Sequence, residues 1–315
     1  MTYNLTLSKQ FWSNVIDISY VGVKGTHQDT SIPYFNNGPP QSSSGSVNAD
    51  RPYPTFGNIR LIDFHGASDY NGLEVHFQHK FSHSLEFTTA YAFSHLLDNQ
   101  GGDTNGSRSE TQIPISKEWA NGLTDQRQNL TIAMVWALPK LSGGNFAARE
   151  VLNGWGINTI FQFIAGSPIF VTQSTDYEYN GNAYERPDLT GQPLTVAHRT
   201  IGEWFNNSTV AGVAAFANSY TVVNGVNVGH YGSTPRNPSA LVGPSVDPLT
   251  LALRRSFAMP FKEPQHLDVR LEVFNALNTP QLSAPSGSWG SSAFGTITST
   301  KIDNREMQLA LKYIF

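Results

Sequence analysis

Apolar and polar side chains alternate one by one in about nine separate segments of roughly ten residues, spread along a chain of 315. Tyr3, Leu5 and Leu7 share one face in residues 1 to 9, and Ile16, Ile18 and Tyr20 do so in 14 to 26. In 70 to 80, Leu73, Val75 and Phe77 oppose Glu74, His76 and Gln78; Leu85, Phe87, Thr89, Tyr91 and Phe93 follow in 85 to 96. The cleanest stripe is Leu130, Ile132, Met134, Trp136 and Leu138, in 126 to 138. Trp155, Ile157, Phe161 and Phe163 stand against Asn158 and Gln162 in 155 to 170, and Leu249, Leu251 and Leu253 mark 247 to 258. Residues 266 to 278 set Leu267, Val269, Leu271 and Val273 against Asp268, Arg270 and Glu272, and Met307, Leu309, Leu311, Tyr313 and Phe315 close the chain. A period of two specifies strands, and each apolar stripe needs a cover.

Connections between these segments alternate in length. Residues 10 to 14, 81 to 84, 139 to 154 and 259 to 265 are short or middling; 27 to 69, 97 to 125, 171 to 246 and 279 to 304 are long. A compact soluble domain rarely tolerates such long loops, whereas an outer-membrane barrel has short periplasmic turns and long extracellular loops. If Phe315 lies at the periplasmic end, every short turn falls on that side. The loops are rich in Gly, Ser, Asn and Pro, which favours irregular backbone, and residues 59 to 66 are expected to extend a strand pair above the membrane. No segment reads as a helix.

Composition agrees: 14% of residues are charged, 12% are aromatic, and there are 27 glycines and 18 prolines. A net charge of -4 argues against nucleic acid as a partner. The mean hydropathy of -0.29 does not oppose a membrane barrel, whose alternation averages to polar. No apolar run reaches the length of a spanning helix, and no basic region with a following apolar stretch opens the chain.

In a membrane barrel the polar face lines the lumen. Arg254, Asp268, Arg270, Glu272 and Lys312 are the expected lumen-facing charges. Tyr20, Tyr91, Trp136, Trp155, Tyr313 and Phe315 would sit in interfacial girdles. A soluble β-sandwich acting in binding or adhesion is the rival, with the same stripes packed as a core. A small porin made by self-association is a third reading.

Nothing in the sequence points to catalysis, a cofactor or a metal. His76 and His79 are three apart on a strand and point to opposite faces. Residues 98 to 107 have the composition of a calcium loop without its spacing, and Ser167 has no His or Asp spaced to orient it; it reads as the upper end of a strand. For ligand contact the long loop 171 to 246 offers Tyr177, Tyr179, Tyr184, Arg186, Trp204, Phe205 and Arg236, a mix suited to stacking on sugars or clamping anions. Tyr184, Arg186, Trp204 and Arg236 are the candidates, against the alternative that the loop merely packs onto itself. Arg236 and Asn237, ahead of Pro238, read more as an ordering motif where the chain returns to the membrane.

Several stretches carry a resemblance in order along the chain: "ISYVGVKGTH", "YNGLEVHFQHKFSHSLEFTTAYAFSHLLDN", "NGWGINTIFQFIAGSPIFV", "RPDLTGQP", "EWFN", "RNPSALVGPSVDPLTLALRRSF", "LDVRLEVFNALNTPQ", "FGTITS" and "REMQLALKYIF". Together they resemble the C-terminal part of the β-barrel of TonB-dependent outer-membrane receptors, the class with a carboxypeptidase-regulatory-like N-terminal domain. The resemblance implies an all-β, antiparallel transmembrane barrel segment over 1 to 315, in the bacterial outer membrane, with no enzymatic activity and no cofactor. Such receptors import iron chelates or oligosaccharides, with TonB acting through a plug domain. Leu309, Leu311, Tyr313 and Phe315 look like the signal read by the barrel-assembly machinery. The family's barrels have about 22 strands, so about nine strands, with no plug or signal peptide, imply an incomplete barrel and a fragment.

Overall fold

The computed structural model describes residues 1–32, 34–82, 84–99, 115–140, 142–143, 145, 149, 151–259 and 265–315. Nine strands form one antiparallel wall in chain order: β1 (Thr2–Phe11), β2 (Asn14–Ile32), β3 (Leu61–Ser82), β4 (Leu85–Asp98), β5 (Gln128–Ala137), β6 (Trp155–Ile164), β7 (Leu249–Ala258), β8 (His266–Phe274) and β9 (Glu306–Ile314). A two-residue strand, Ala120–Asn121, adds to the top of β4. Among the described residues β1 pairs only with β2 and β9 only with β8, so the wall is open.

Register runs unbroken through the membrane portion. Leu7 lies opposite Ile18, Ile18 opposite Val75, Val75 opposite Tyr91, Tyr91 opposite Leu130 and Leu130 opposite Phe163, a row of apolar side chains on one face. One residue along, Ser8, Asp17, His76, Ala90, Thr131 and Gln162 line the other face. A slip of one residue would exchange the faces, so the alternation itself pins the pairing.

At the short-turn rim the apolar face ends in aromatics: Trp136 on β5, Trp155 on β6, Phe257 on β7 and Tyr313 on β9, with Trp12 in the β1–β2 turn 91% exposed. Tyr20 marks the opposite rim. Its row holds Leu5, Leu73 and Phe93, and just above it the hydroxyls of Tyr3 and Tyr20 both donate to Asn71 Oδ1, at 3.1 and 2.7 Å. Tyr91 departs from the expected girdle, because β4 continues to Asp98 and leaves it one row inside the belt.

β2 and β3 run 19 and 22 residues, well past the belt, and the expected extension over 59 to 66 pairs from Leu61 onward with Ile32, Ser31 and Thr30. A bulge separates this extension from the wall between Gly25 and Gln28, where His27 has a φ of 55°. Other boundaries move inward. β6 stops at Ile164 instead of near 170, since Ile164 and Pro168 bridge Val246 and Val242 and Gly166 lies so close to Gly243 that a Cβ would come within 1.9 Å of its carbonyl oxygen. Ser167 therefore belongs to the cap and not to a strand. β8 ends at Phe274, where Asn275 and Asn278 take φ of 45° and 54°.

Among the described residues the long loops are mostly irregular backbone, as expected, but short strand pairs tie them together. Thr172–Gln173 pairs in parallel with Ser288–Trp289, Asp188–Leu189 with Phe216–Ala217, and Gln281–Leu282 with Thr300–Ile302. Tyr220–Val223 and Val226–Gly229 form a hairpin over Asn224 and Gly225, with φ of 50° and 79°. Among the described residues a 3-10 turn, Ile115–Glu118, and helical residues at 149 and 151–152 stand where no helix was expected. The buried hydrophobic cluster lies in this cap: Ile169, Val171, Phe205, Ala214, Ala215, Phe216, Leu241, Trp289 and Phe294. Phe294 has the rings of Phe205, Phe216 and Trp289 at 5.0, 5.4 and 5.2 Å, each edge-on.

Candidate functional site

Two surfaces carry the polar chemistry: the inner face of the wall and the cap above it. On the inner face Arg254 pairs in register with Arg270, Ser256 with Asp268, and Asp268 with Lys312. Glu272 stands between Ala252 and Gln308. All five charges expected in the lumen thus share one face. Their one ion pair among the described residues runs along β8, from Arg270 Nη2 to Glu272 Oε1 at 2.7 Å, rather than across strands. A hollow on this face is lined by Gly156, Arg254, Ser256, Asp268 and Arg270, and a second by Asp17, Glu74, His76 and Thr131. His76 Nδ1 is 3.6 Å from Asp17 on the inner face, while His79 Nδ1 meets Asn14 Oδ1 at 2.8 Å and stacks on Phe87 on the other.

The four ligand candidates of the long loop separate. Arg186, 3% exposed, pairs with Glu118 through Nη2 at 2.8 Å and Nη1 at 3.4 Å; Glu118 is fully buried on its 3-10 turn. Arg236, 1% exposed, donates from Nε to the Glu118 carbonyl at 2.9 Å and from Nη2 to the carbonyl and carboxylate of Asp98. Asn237 adds a bond to the Asn121 carbonyl at 2.6 Å. Arg236 fastens the cap to the top of β4 and to the 3-10 turn, and Arg186 fastens it to the 3-10 turn, with their donors turned inward. Trp204 is half-buried, with Nε1 on the Val242 carbonyl at 2.8 Å and Arg199 over its ring. Tyr184 remains partly exposed, edge-on to Tyr34 at 5.9 Å. Burial and the Tyr184 phenol raise the Tyr34 phenol above its ordinary pKa.

Acidic residues of the cap were not singled out from sequence. Glu185, 1% exposed, accepts from the amides of Tyr177 at 2.9 Å and Glu178 at 3.2 Å and from Gln173 Nε2 at 3.2 Å. Burial first, then its bond to Asp176 and the nearby Glu178, push its carboxyl up to about 10. It is a neutral acid at pH 7. Among the described residues no three His, Cys, Asp or Glu side chains are placed to hold a metal ion. Most of residues 98 to 107, which have calcium-loop composition without its spacing, lies outside the described residues, from 100 on.

Phe315 is 91% exposed, and Leu309, Leu311 and Tyr313 lie with it on the outer face of the edge strand β9.

The family model described as outer membrane beta barrel domain matches residues 1–308. No curated protein sequence matches the chain. Among solved structures, the outer membrane transporter YddB from Escherichia coli is similar at 9% identity, with a TM-score of 0.49 over 98% of this chain and 32% of that one. The chain thus spans about a third of that transporter's length. By the family match, with its apolar belt between two rims, the chain belongs to the outer membrane beta barrel domain family and lies in a bacterial outer membrane.

Proposed function

We propose that the chain supplies wall, lumen lining and extracellular cap to a TonB-dependent receptor that imports a small molecule, and that it has no catalytic role. One observation carries the transport reading over a soluble binding module. The wall's apolar stripes stay in the open, with Leu5, Leu7, Leu309 and Leu311 64–67% exposed, while the buried apolar cluster sits in the cap. A sandwich would bury the stripes; a membrane wall turns them to lipid. The ordered sequence resemblance supports TonB dependence, with TonB acting through a plug, and iron chelates or oligosaccharides as substrates. Tyr184, beside Tyr34, is the cap residue best placed to meet them.

Uptake measured in source cells tests this. Deleting the intact protein should abolish accumulation of one such substrate, and collapsing the inner-membrane proton gradient should do the same. Uptake that survives the collapse would make the protein a passive pore.

A further inference from the structure

Leu251, Leu253, Arg255 and Phe257 follow one another on the outer stripe of β7, so an arginine occupies a face otherwise given to lipid. It is only 7% exposed. Its guanidinium lies 4.1 Å over the Phe257 ring and 5.9 Å from the Trp155 ring, and Nη1 donates to the carbonyl oxygen of Val151. The same oxygen accepts the Trp155 indole N–H at 2.9 Å. Val151 belongs to the β5–β6 connection at the short-turn rim. There Arg149 N bonds Asn145 O and Asn153 N bonds Arg149 O, both at 3.1 Å, the spacing of helical turns. Gly154, with φ of 81°, then releases the chain into β6.

Two donors from the outer face hold the Val151 carbonyl, so residues 151–154 dock on the lipid side of the rim and not across the lumen mouth. Val151 and Leu152 are nevertheless 59% and 55% exposed. In an aqueous setting two adjacent aliphatic side chains would stay wet; here they continue the apolar belt just where Trp155 and Trp136 mark an interface. We propose that Val151 and Leu152 form a membrane anchor, inserted into the phospholipid leaflet on the periplasmic side. Arg255 is its positioning residue: the aromatic faces shield the guanidinium from acyl chains while it fixes the turn. The surface extends the lipid-facing belt, and its partner is the phospholipid bilayer itself.

The chain contains no cysteine, which suits single-site labelling. In the intact protein reconstituted in phosphatidylethanolamine and phosphatidylglycerol vesicles, an environment-sensitive fluorophore on Leu152→Cys should be quenched by acyl-chain nitroxides and little by iodide. It should match a label on Leu73→Cys in the belt and differ from one on Val222→Cys in the cap. Iodide quenching equal to that at Val222 would overturn the anchor. Adding Arg255→Met, which keeps the apolar stem, should raise iodide quenching at Leu152 at least twofold while Leu73 stays unchanged. No change at Leu152 would overturn the positioning role.

Discussion

Glu185 keeps its proton at neutral pH because the cap gives its charge no water and sets Asp176 and Glu178 close by. Folded, it titrates near 10; unfolded, near the ordinary 4.5. Between those values the folded cap holds a proton that the unfolded chain has released, so cap stability falls as pH rises through that window. Protection of the Tyr177 and Glu178 amides against hydrogen exchange, corrected for intrinsic rate, should therefore decline from pH 5 to 9. Glu185→Gln, which keeps an acceptor oxygen, should flatten that slope; an unchanged slope would place the titration elsewhere. Arg236→Met leaves Asp98 without its cation and should cost the cap about 3–5 kcal/mol, seen as proteolysis of loop 165–247 in a protein whose wall stays folded.

Strand elements were the most legible part of the sequence, because a period of two that places Leu130, Ile132, Met134 and Trp136 on one face fits a strand and would scatter the same residues around a helix. Strand ends were less so: β6 and β8 stop where Gly166 meets Gly243 and where Asn275 turns left-handed, and neither the contact nor the conformation shows in hydrophobic pattern. One cap element did carry a local signal, beyond the irregular backbone expected there. "VVNGVNV" has the Asn-Gly pair of a two-residue hairpin between β-branched runs. Arg186 and Arg236 stood among the ligand candidates, Arg236 also as an ordering motif with Asn237, and pattern could not decide because their partners, Glu118 and Asp98, lie 68 and 138 residues away. The faces can be tested side by side. Ile132→Arg on the outer face should destabilise the intact protein by about 2–4 kcal/mol in urea titrations in lipid, whereas Thr131→Arg, aimed at the wet face, should change little. At the edge strand, Phe315→Asp should lower the amount of folded protein recovered from outer membranes if the closing stripe is read during assembly, and an unchanged yield would remove that role.

At the scale of the molecule, direction matters more than strand number. Each strand of the wall reverses the one before it, so β1 and β9 run toward the same short-turn rim. Bending the wall until they meet would pair them in parallel. A second copy does not help: inserted with the same orientation, its β9 also runs parallel to the first copy's β1. Outer-membrane barrels are antiparallel, so closure calls for an odd number of further strands, whether from more of the same polypeptide or from another. The self-associating porin fails on this ground, as a ring of any number of copies repeats the same parallel seam. The 315-residue chain refolded alone in detergent should accordingly show no heat-dependent shift on a semi-native gel and no conductance steps in a planar bilayer. Its edges would instead leave unpaired N–H and C=O groups in an apolar medium, each at a cost of several kcal/mol, and drive aggregation. A compact band that shifts on boiling, with or without conductance, would mean that β1 and β9 do find antiparallel partners within this chain, and the receptor-wall reading would give way to a complete small barrel.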